Sequence, residues 1–495
     1  MKIRQLVHIL FVMMLPSVVA GQVQELSLGD VLGRARKQSL AAIRAENVFL
    51  SGYWKYRAYQ AELRPGLTLN TNPFGYNRTM TQRYNYDENT EEYREQQSLQ
   101  STANLSLSQQ LPFSGGRVYL DSDLGRLVNY STRELVEYSA TPLRIGLVQP
   151  IWGFNELRWQ QKIAPLEYEK ARKAYIQSLQ QVQVAAVDYY FGLMQAQIRY
   201  QIARETLSST DSLLVMAHQR YAIAAIRRNE LLDLKLKRLQ ASTQLIEAEK
   251  SLKQAQFELT SFLGMPQGDT LVPRLPANLP LRQVDTQEAR SKAQAYNPGL
   301  LGLRRQALQA ARDVEASRKR RYADANITAS YGLNQVGQTL TQSYQDPLSQ
   351  QHFSLALSIP LVDWGGRKGN YLMAQKNKEV VEAEIQQQKL DFDKEVILKT
   401  LDFNSQYALI DRKRQAQEIA KESYAITRRQ FLAGNADVMR LNASQAALKQ
   451  ARLDYVNGIY SYWKNYYQLQ ALTLYDFLRG KAITEDFDKI IHSDE

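Results

Sequence analysis

The chain has 495 residues, a formal charge of +12 and no cysteine. The missing cysteines exclude disulfides, thiol chemistry and a lipid anchor on an N-terminal cysteine. The positive balance does not read as a nucleic-acid footprint. Basic and acidic residues alternate, as in Glu167-Tyr168-Glu169-Lys170 and Lys376-Asn377-Lys378-Glu379, and no basic cluster sits beside an aromatic stacking platform.

At the N-terminus, Lys2 and Arg4 precede an apolar run from Leu6 to Val19, and Val18-Val19-Ala20 supplies small residues for a signal peptidase. Residues 1–20 are expected to be a secretory signal peptide cleaved after Ala20. The run is short for a spanning helix, which needs about 20 apolar residues. No long uncharged apolar run follows residue 20, so any membrane crossing falls to strands, because only helices and closed barrels satisfy their backbone in lipid.

The order of elements is repeated. Asp30-Val31-Leu32 to Gln38 and Leu40–Arg64 read as helices, matched later by Glu288–Tyr296 and Pro298–Arg321. Each pair runs into alternating segments, among them Ala103-Leu105-Leu107, Leu143-Ile145-Leu147, Ile327-Ala329-Tyr331-Leu333 and Phe353-Leu355-Leu357-Ile359. One face of each is apolar and the other small and polar, as in an outer-membrane barrel with lipid outside and water inside. Candidate strands in the first half are 66–76, 101–111, 117–127 and 141–149, with Pro112-Phe113-Ser114-Gly115-Gly116 as a turn; residues 112–140 fit either added strands or an extracellular excursion. A chain with four to six strands cannot close a barrel that needs about eight. Trp54, Trp152 and Trp364 flank the strands where an interfacial aromatic belt falls.

Gln149-Pro150 and Ile359-Pro360 end the strands and open long helical stretches. A helix from Leu157 to Arg220 is roughly 95 Å long and needs lateral packing along its length, coiled-coil fashion. Each stretch breaks at a midpoint, Arg220-Tyr221 or Gln430-Phe431, then restarts on acids: Glu230 and Asp233, or Asp437. The same offset separates Pro150 from Pro360 and Tyr221 from Phe431. The expected division is a first repeat over 21–265 (helices 27–64, strands within 66–150, hairpin 155–264) and a Pro-rich linker over 266–286. A second repeat covers 287–480 (helices 287–321, strands 325–360, hairpin 366–478), and a polar tail covers 481–495. The fold class is mainly α with a membrane β-barrel portion.

In the order and spacing of these elements, with the Asn297-Pro298-Gly299-Leu300 helix start, the chain resembles the TolC-like outer-membrane efflux protein family over essentially its whole mature length. The resemblance implies a homotrimer with one shared barrel in the outer membrane of a Gram-negative-type cell and a helical tunnel in the periplasm. It implies partners as well: outer-membrane lipid, a periplasmic adaptor at the helical tips, and an inner-membrane transporter. The tip glycine of that family falls on Gly434, beside Asn435, and on Ala224 in the first hairpin. Acids that ring the tunnel entrance fall on Asp437 and Arg440, with Glu230 and Asp233 as first-hairpin equivalents.

An inward carboxylate repeated by three-fold symmetry attracts cations. Arg440, one turn from Asp437, is placed to pair with it within or between chains. The plainer role for Glu230 and Asp437 is to stabilise helix N-termini.

An enzyme is poorly supported. His218, His352 and His492 are far apart and beside no nucleophile motif, and Gly365-Gly366-Arg367-Lys368-Gly369 lacks P-loop spacing. No cofactor, metal or nucleic acid is expected. The expected function is a passive exit duct for small molecules or polypeptides; the rival is a secreted structural or adhesive coiled-coil protein without a pore.

Overall fold

A computed structural model describes residues 23–494 except 86–87, 131–133, 225, 267–269, 277–278, 281 and 434. The expected signal peptide and Gly434 lie outside the described residues.

In chain order, β1 (Val23–Leu26) leads into helices α1 (Leu28–Gln38) and α2 (Leu40–Glu62). Ser27 and Asp30 close a capping box at the start of α1: the Ser27 hydroxyl accepts the Asp30 amide, and the Asp30 carboxylate accepts the Ser27 amide. Four strands follow: β2 (Gly66–Asn85), β3 (Thr90–Leu111), β4 (Gly116–Tyr130) and β5 (Glu134–Pro150). The hairpin α3 (Glu156–Ala222) and α4 (Arg228–Phe262) comes next, then β6 (Thr270–Pro273). The second repeat holds α5 (Thr286–Tyr296), α6 (Pro298–Lys319), β7 (Asp324–Gly337), β8 (Leu348–Ser358), and the hairpin α7 (Gly366–Leu432) and α8 (Val438–Thr473). Small strands β9 (Tyr475–Asp476) and β10 (Lys481–Ala482) and helix α9 (Phe487–Asp494) end the chain.

The internal repeat is explicit in helix lengths: α3 and α7 have 67 residues each, about 100 Å at 1.5 Å per residue, and α4 and α8 have 35 and 36. Asn297 caps α6, its side chain accepting the Gly299 amide at 2.7 Å with Pro298 at the first turn, so the helix start read from sequence forms as expected.

The chain divides into two compact units, with divisions inside α2, α3, α5 and α7 and one more between β10 and α9. One unit comprises the described residues of Met1–Ala45, Ser178–Ala289 and Ile397–Ile483. Its core joins Leu28, Val31 and Ala35 of α1 to Ala186, Tyr190 and Leu193 of α3, Leu259 of α4 and Ile459 of α8. Tyr190 is fully buried, and its hydroxyl donates to the Leu26 carbonyl at 3.2 Å and to the Arg274 carbonyl. Burial pushes that phenol above its ordinary range, and the two carbonyls use its proton. These contacts anchor β1 against β6, which pair in parallel from Val23–Thr270 to Leu26–Pro273. The Pro-rich linker therefore contains a strand, whose partner lies far off in sequence and leaves no local signal.

The other unit comprises Glu46–Gln177, Arg290–Val396 and Thr484–Glu495. Its centre is a six-stranded sheet of order β2-β3-β4-β5-β7-β8, antiparallel throughout. The β5–β7 pairing, from Tyr138–Gly337 to Pro150–Asn326, fuses the strands of both repeats. Residues 116–130 and 134–150 are strands, so within the stretch left open at 112–140 the described residues past the turn join the sheet. Beside it, Glu167 of α3 binds Lys55 of α2 at 2.7 Å and Arg305 of α6 at 3.3 Å. The tail is not simply polar: α9 is amphipathic and buries Phe487 against Phe49 and Tyr175, with the Arg172 guanidinium 4.5 Å from the Phe487 ring centre.

Candidate functional site

The sheet separates chemistry by face. Along one face, a row of cross-strand neighbours reads Leu67, Leu107, Leu120, Ile145 and Tyr331 from β2 to β7. Leu67, Leu107, Ile145 and Tyr331 are all exposed, as are Phe353, Leu355 and Leu357 of β8. Such a band facing out of a protein needs lipid or another apolar partner. Charge-free stretches of β2 and β3, Leu67–Asn77 and Ser98–Leu111, are long enough for the ~9–11 residues of a bilayer crossing. Farther along, Arg78 and Glu95 form an ion pair across the hairpin.

The adjacent row is polar: Thr68, Ser106, Asp121, Arg144, Gly332 and Gln350 are successive neighbours. Arg144 binds Asp121 at 3.0 Å and Asp123 at 2.9 Å, while Ser106 donates to Asp121 and Asn104 to Asp123. Gly332 leaves the space that Arg144 needs, since a Cβ there would stand 2.9 Å from the Arg144 Cβ and 2.7 Å from the Leu143 carbonyl oxygen. Sequence reasoning missed this cluster. Asp121 and Asp123 stand two apart on one strand face, but their cation comes from the next strand.

Trp54 lies on α2, 43% exposed; Trp152 follows β5, 55% exposed; Trp364 follows β8, 96% exposed. Trp364 and Gly365 both take positive φ, 52° and 85°, which turns the strand sharply into α7. Amides of Arg367 and Gly365 donate to the Asp363 carboxylate at 3.1 and 3.0 Å and hold its carboxyl below the ordinary range.

The two hairpin turns carry the other predicted residues. Leu213, Ala217, Leu231 and Leu234 of the first hairpin share one buried cluster with Phe431 and Leu441 of the second, so both turns belong to one tip. Asp437 is the N-cap of α8, its carboxylate accepting the Arg440 amide at 2.7 Å. Among the described residues no ion pair joins Arg440 to Asp437. Of the roles open to Asp437, the one seen within the chain is the helix-stabilising one: its extended backbone turns the carboxylate onto the free Arg440 amide of the first turn. Glu230 lies in the first turn of α4, exposed, with Asp233 also exposed. Ala224 has φ of 56°, and its amide donates to the Tyr221 carbonyl at 3.0 Å. The Asn435 amide donates to the Gln430 carbonyl at 2.8 Å. Ile223 and Met439 are 76% and 79% exposed beside these turns, apolar groups that the sequence reading did not single out.

A sheet with a lipid-compatible face and a charged polar face, joined in one chain to two very long helical hairpins, defines a membrane channel with a helical tunnel. The profile described as Outer membrane efflux protein matches residues 119–265 and 289–473, and the chain belongs to that family. Its fold is similar to that of the Campylobacter jejuni CmeC outer membrane channel (15% identity, TM-score 0.66, covering 94% of this chain and 89% of that chain). It is also similar to the outer membrane protein VceC from Vibrio cholerae (14%, 0.61, 92% and 96%). A third similar structure is the open state of the Neisseria gonorrhoeae MtrE outer membrane channel (14%, 0.58, 93% and 90%). No curated protein matches the chain by sequence. As a member of this family the chain is an outer-membrane exit duct of an efflux system, with its strands in the outer membrane and its helical tunnel in the periplasm.

Proposed function

We propose that the working unit is a homotrimer in which three six-stranded sheets close into one barrel, and that it conducts cargo passively without chemistry of its own. One observation carries this reading: within a chain the strand order ends at β2 and β8, and neither outer edge has a strand partner among the described residues. Open edges in a lipid-exposed sheet leave backbone groups unpaired at a cost of several kcal/mol each, so neighbouring copies supply the partners. A periplasmic adaptor engages the turns at Ala224, Gly434 and Asn435, delivering cargo from an inner-membrane transporter. Gating falls to the tip residues Asp437, Arg440, Glu230 and Asp233, and Trp54, Trp152 and Trp364 anchor the barrel at the lipid interface.

Native mass spectrometry of the detergent-extracted protein and single-channel recording of the same sample test the proposal together. Three chains per particle and discrete conductance steps are the expected result. A non-conducting fibrous particle would overturn it in favour of a structural coiled-coil protein.

A further inference from the structure

The sign of charge at the helical tip differs from the acidic ring that the family resemblance implies. From Arg220 to Lys235, the exposed cations Arg220, Arg227, Arg228 and Lys235 face only Glu230 and Asp233 in number. From Arg428 to Arg440, the exposed arginines Arg428, Arg429 and Arg440 face only Asp437. The excess is four positive charges per chain. Among the described residues none of these seven cations forms an ion pair, and the Asp437 carboxylate is already committed to the Arg440 amide. The shared apolar cluster beneath the turns holds both stretches at one place, so their charges add rather than act separately.

We propose that this tip is an anion-attracting mouth and that the duct's cargo is a class of small organic anions. The proposal rests on the reading of the chain as a duct. Three-fold assembly repeats the excess around one aqueous opening, and low-dielectric walls focus such a field and raise the local concentration of the opposite charge. With a Debye length of about 8 Å at physiological salt, charges at the mouth act together while distant ones are screened. The strand wall contributes the opposite sign through Asp121, Asp123 and Arg144, so the tip's share is read from tip variants and not from the whole duct alone.

Reversal potentials of the full-length protein in planar bilayers, under gradients of potassium chloride and potassium gluconate, test this. Wild type is expected to pass the anion in preference to potassium. The variant with Arg228→Gln, Arg428→Gln and Arg440→Gln is expected to lower that preference about two-fold or more, and raising the salt to about 1 M should erase the difference. If that variant does not assemble, Arg220→Gln with Lys235→Gln puts the same question to another part of the patch. Open pores whose selectivity is indifferent to these substitutions overturn the anion-attracting mouth. An assembled particle with no conductance overturns the duct reading instead.

Discussion

The Asp437 carboxylate accepts the backbone amide of Arg440 at 2.7 Å, so the acid at the expected tunnel entrance is a helix cap before it is a free charge. Two substitutions separate those roles. Asp437→Asn keeps a capping oxygen and removes the charge, whereas Asp437→Ala removes both and costs the first turn of α8 about 1 kcal/mol. If the cap dominates, hydrogen exchange at the start of α8 quickens in Asp437→Ala alone, and conductance changes only there. Equal conductance changes in both variants would assign the effect to charge.

Ala224 occupies left-handed backbone, φ 56°, just past the end of α3, where a side chain costs about 1 kcal/mol relative to glycine. Ala224→Gly is therefore expected to slow amide exchange in the last turn of α3. Faster exchange in the variant would show that the turn is held by contacts of the alanine methyl group.

Much of this architecture was legible because its signals are local. Proline at Pro150 and Pro360, the Asn297-Pro298 start, alternation in 143–147 and 353–359, and long stretches poor in proline and glycine each act within a few residues. What stayed hidden depends on distant partners. β2 and β3 run past the apolar alternation into Thr79–Asn85 and Thr90–Gln97, where cross-strand partners rather than an apolar face sustain the ladder. β6, in the linker, pairs with β1 at the far end of the first repeat, and Arg144 finds its carboxylates on the adjacent strand. In α9, Phe487 and Ile491 carry a four-residue spacing, but eight residues are too few for periodicity to stand out. At the tip, the positions were legible and the bonding was not, since a cap and an ion pair put the same two residues one turn apart.

Glu167 links α2, α3 and α6 through Lys55 and Arg305. Burial raises its carboxyl's pKa, but the two cations outweigh burial and leave it below the ordinary glutamate value. A depressed folded-state value stabilises the fold above the unfolded pKa of about 4.3, and that contribution fades as pH falls through the folded value. Acidification from pH 6 to about 3.5 is thus expected to loosen this three-helix contact, measured as faster exchange in Tyr53–Tyr59 of α2. Glu167→Gln should show the looser contact already at neutral pH and a flatter acid response; a wild-type-like pH profile in that variant would remove Glu167 from the linkage.

Arg144 pairs with both Asp121 and Asp123 on the polar face of the sheet and offsets one of their two charges. Replacing it, as Arg144→Met, leaves two neighbouring carboxylates without their cation. The expected cost is about 2 kcal/mol, below that of a fully buried pair because the guanidinium is 27% exposed. Urea denaturation of the assembled protein should show the loss, and adding Asp123→Asn should restore part of it. No recovery in the double variant would mean that Arg144 acts through packing and not charge.

Leu355 and Ser354 are consecutive on β8 and lie on opposite faces, with Leu355 57% exposed on the apolar side. If that side meets lipid, Leu355→Arg places a charge in hydrocarbon at about 2–4 kcal/mol near the midplane, whereas Ser354→Arg meets water in the barrel. The amount of heat-modifiable oligomer in outer-membrane fractions reads the difference directly. Leu355→Arg is expected to reduce it sharply and Ser354→Arg to leave it near wild type. The reverse order would turn the sheet inside out, placing the Thr68–Asp121–Arg144 row against lipid, where Asp121 and Arg144 are least tolerable. The charged row is therefore the stronger constraint on which face is wet, and the arginine pair is its direct test.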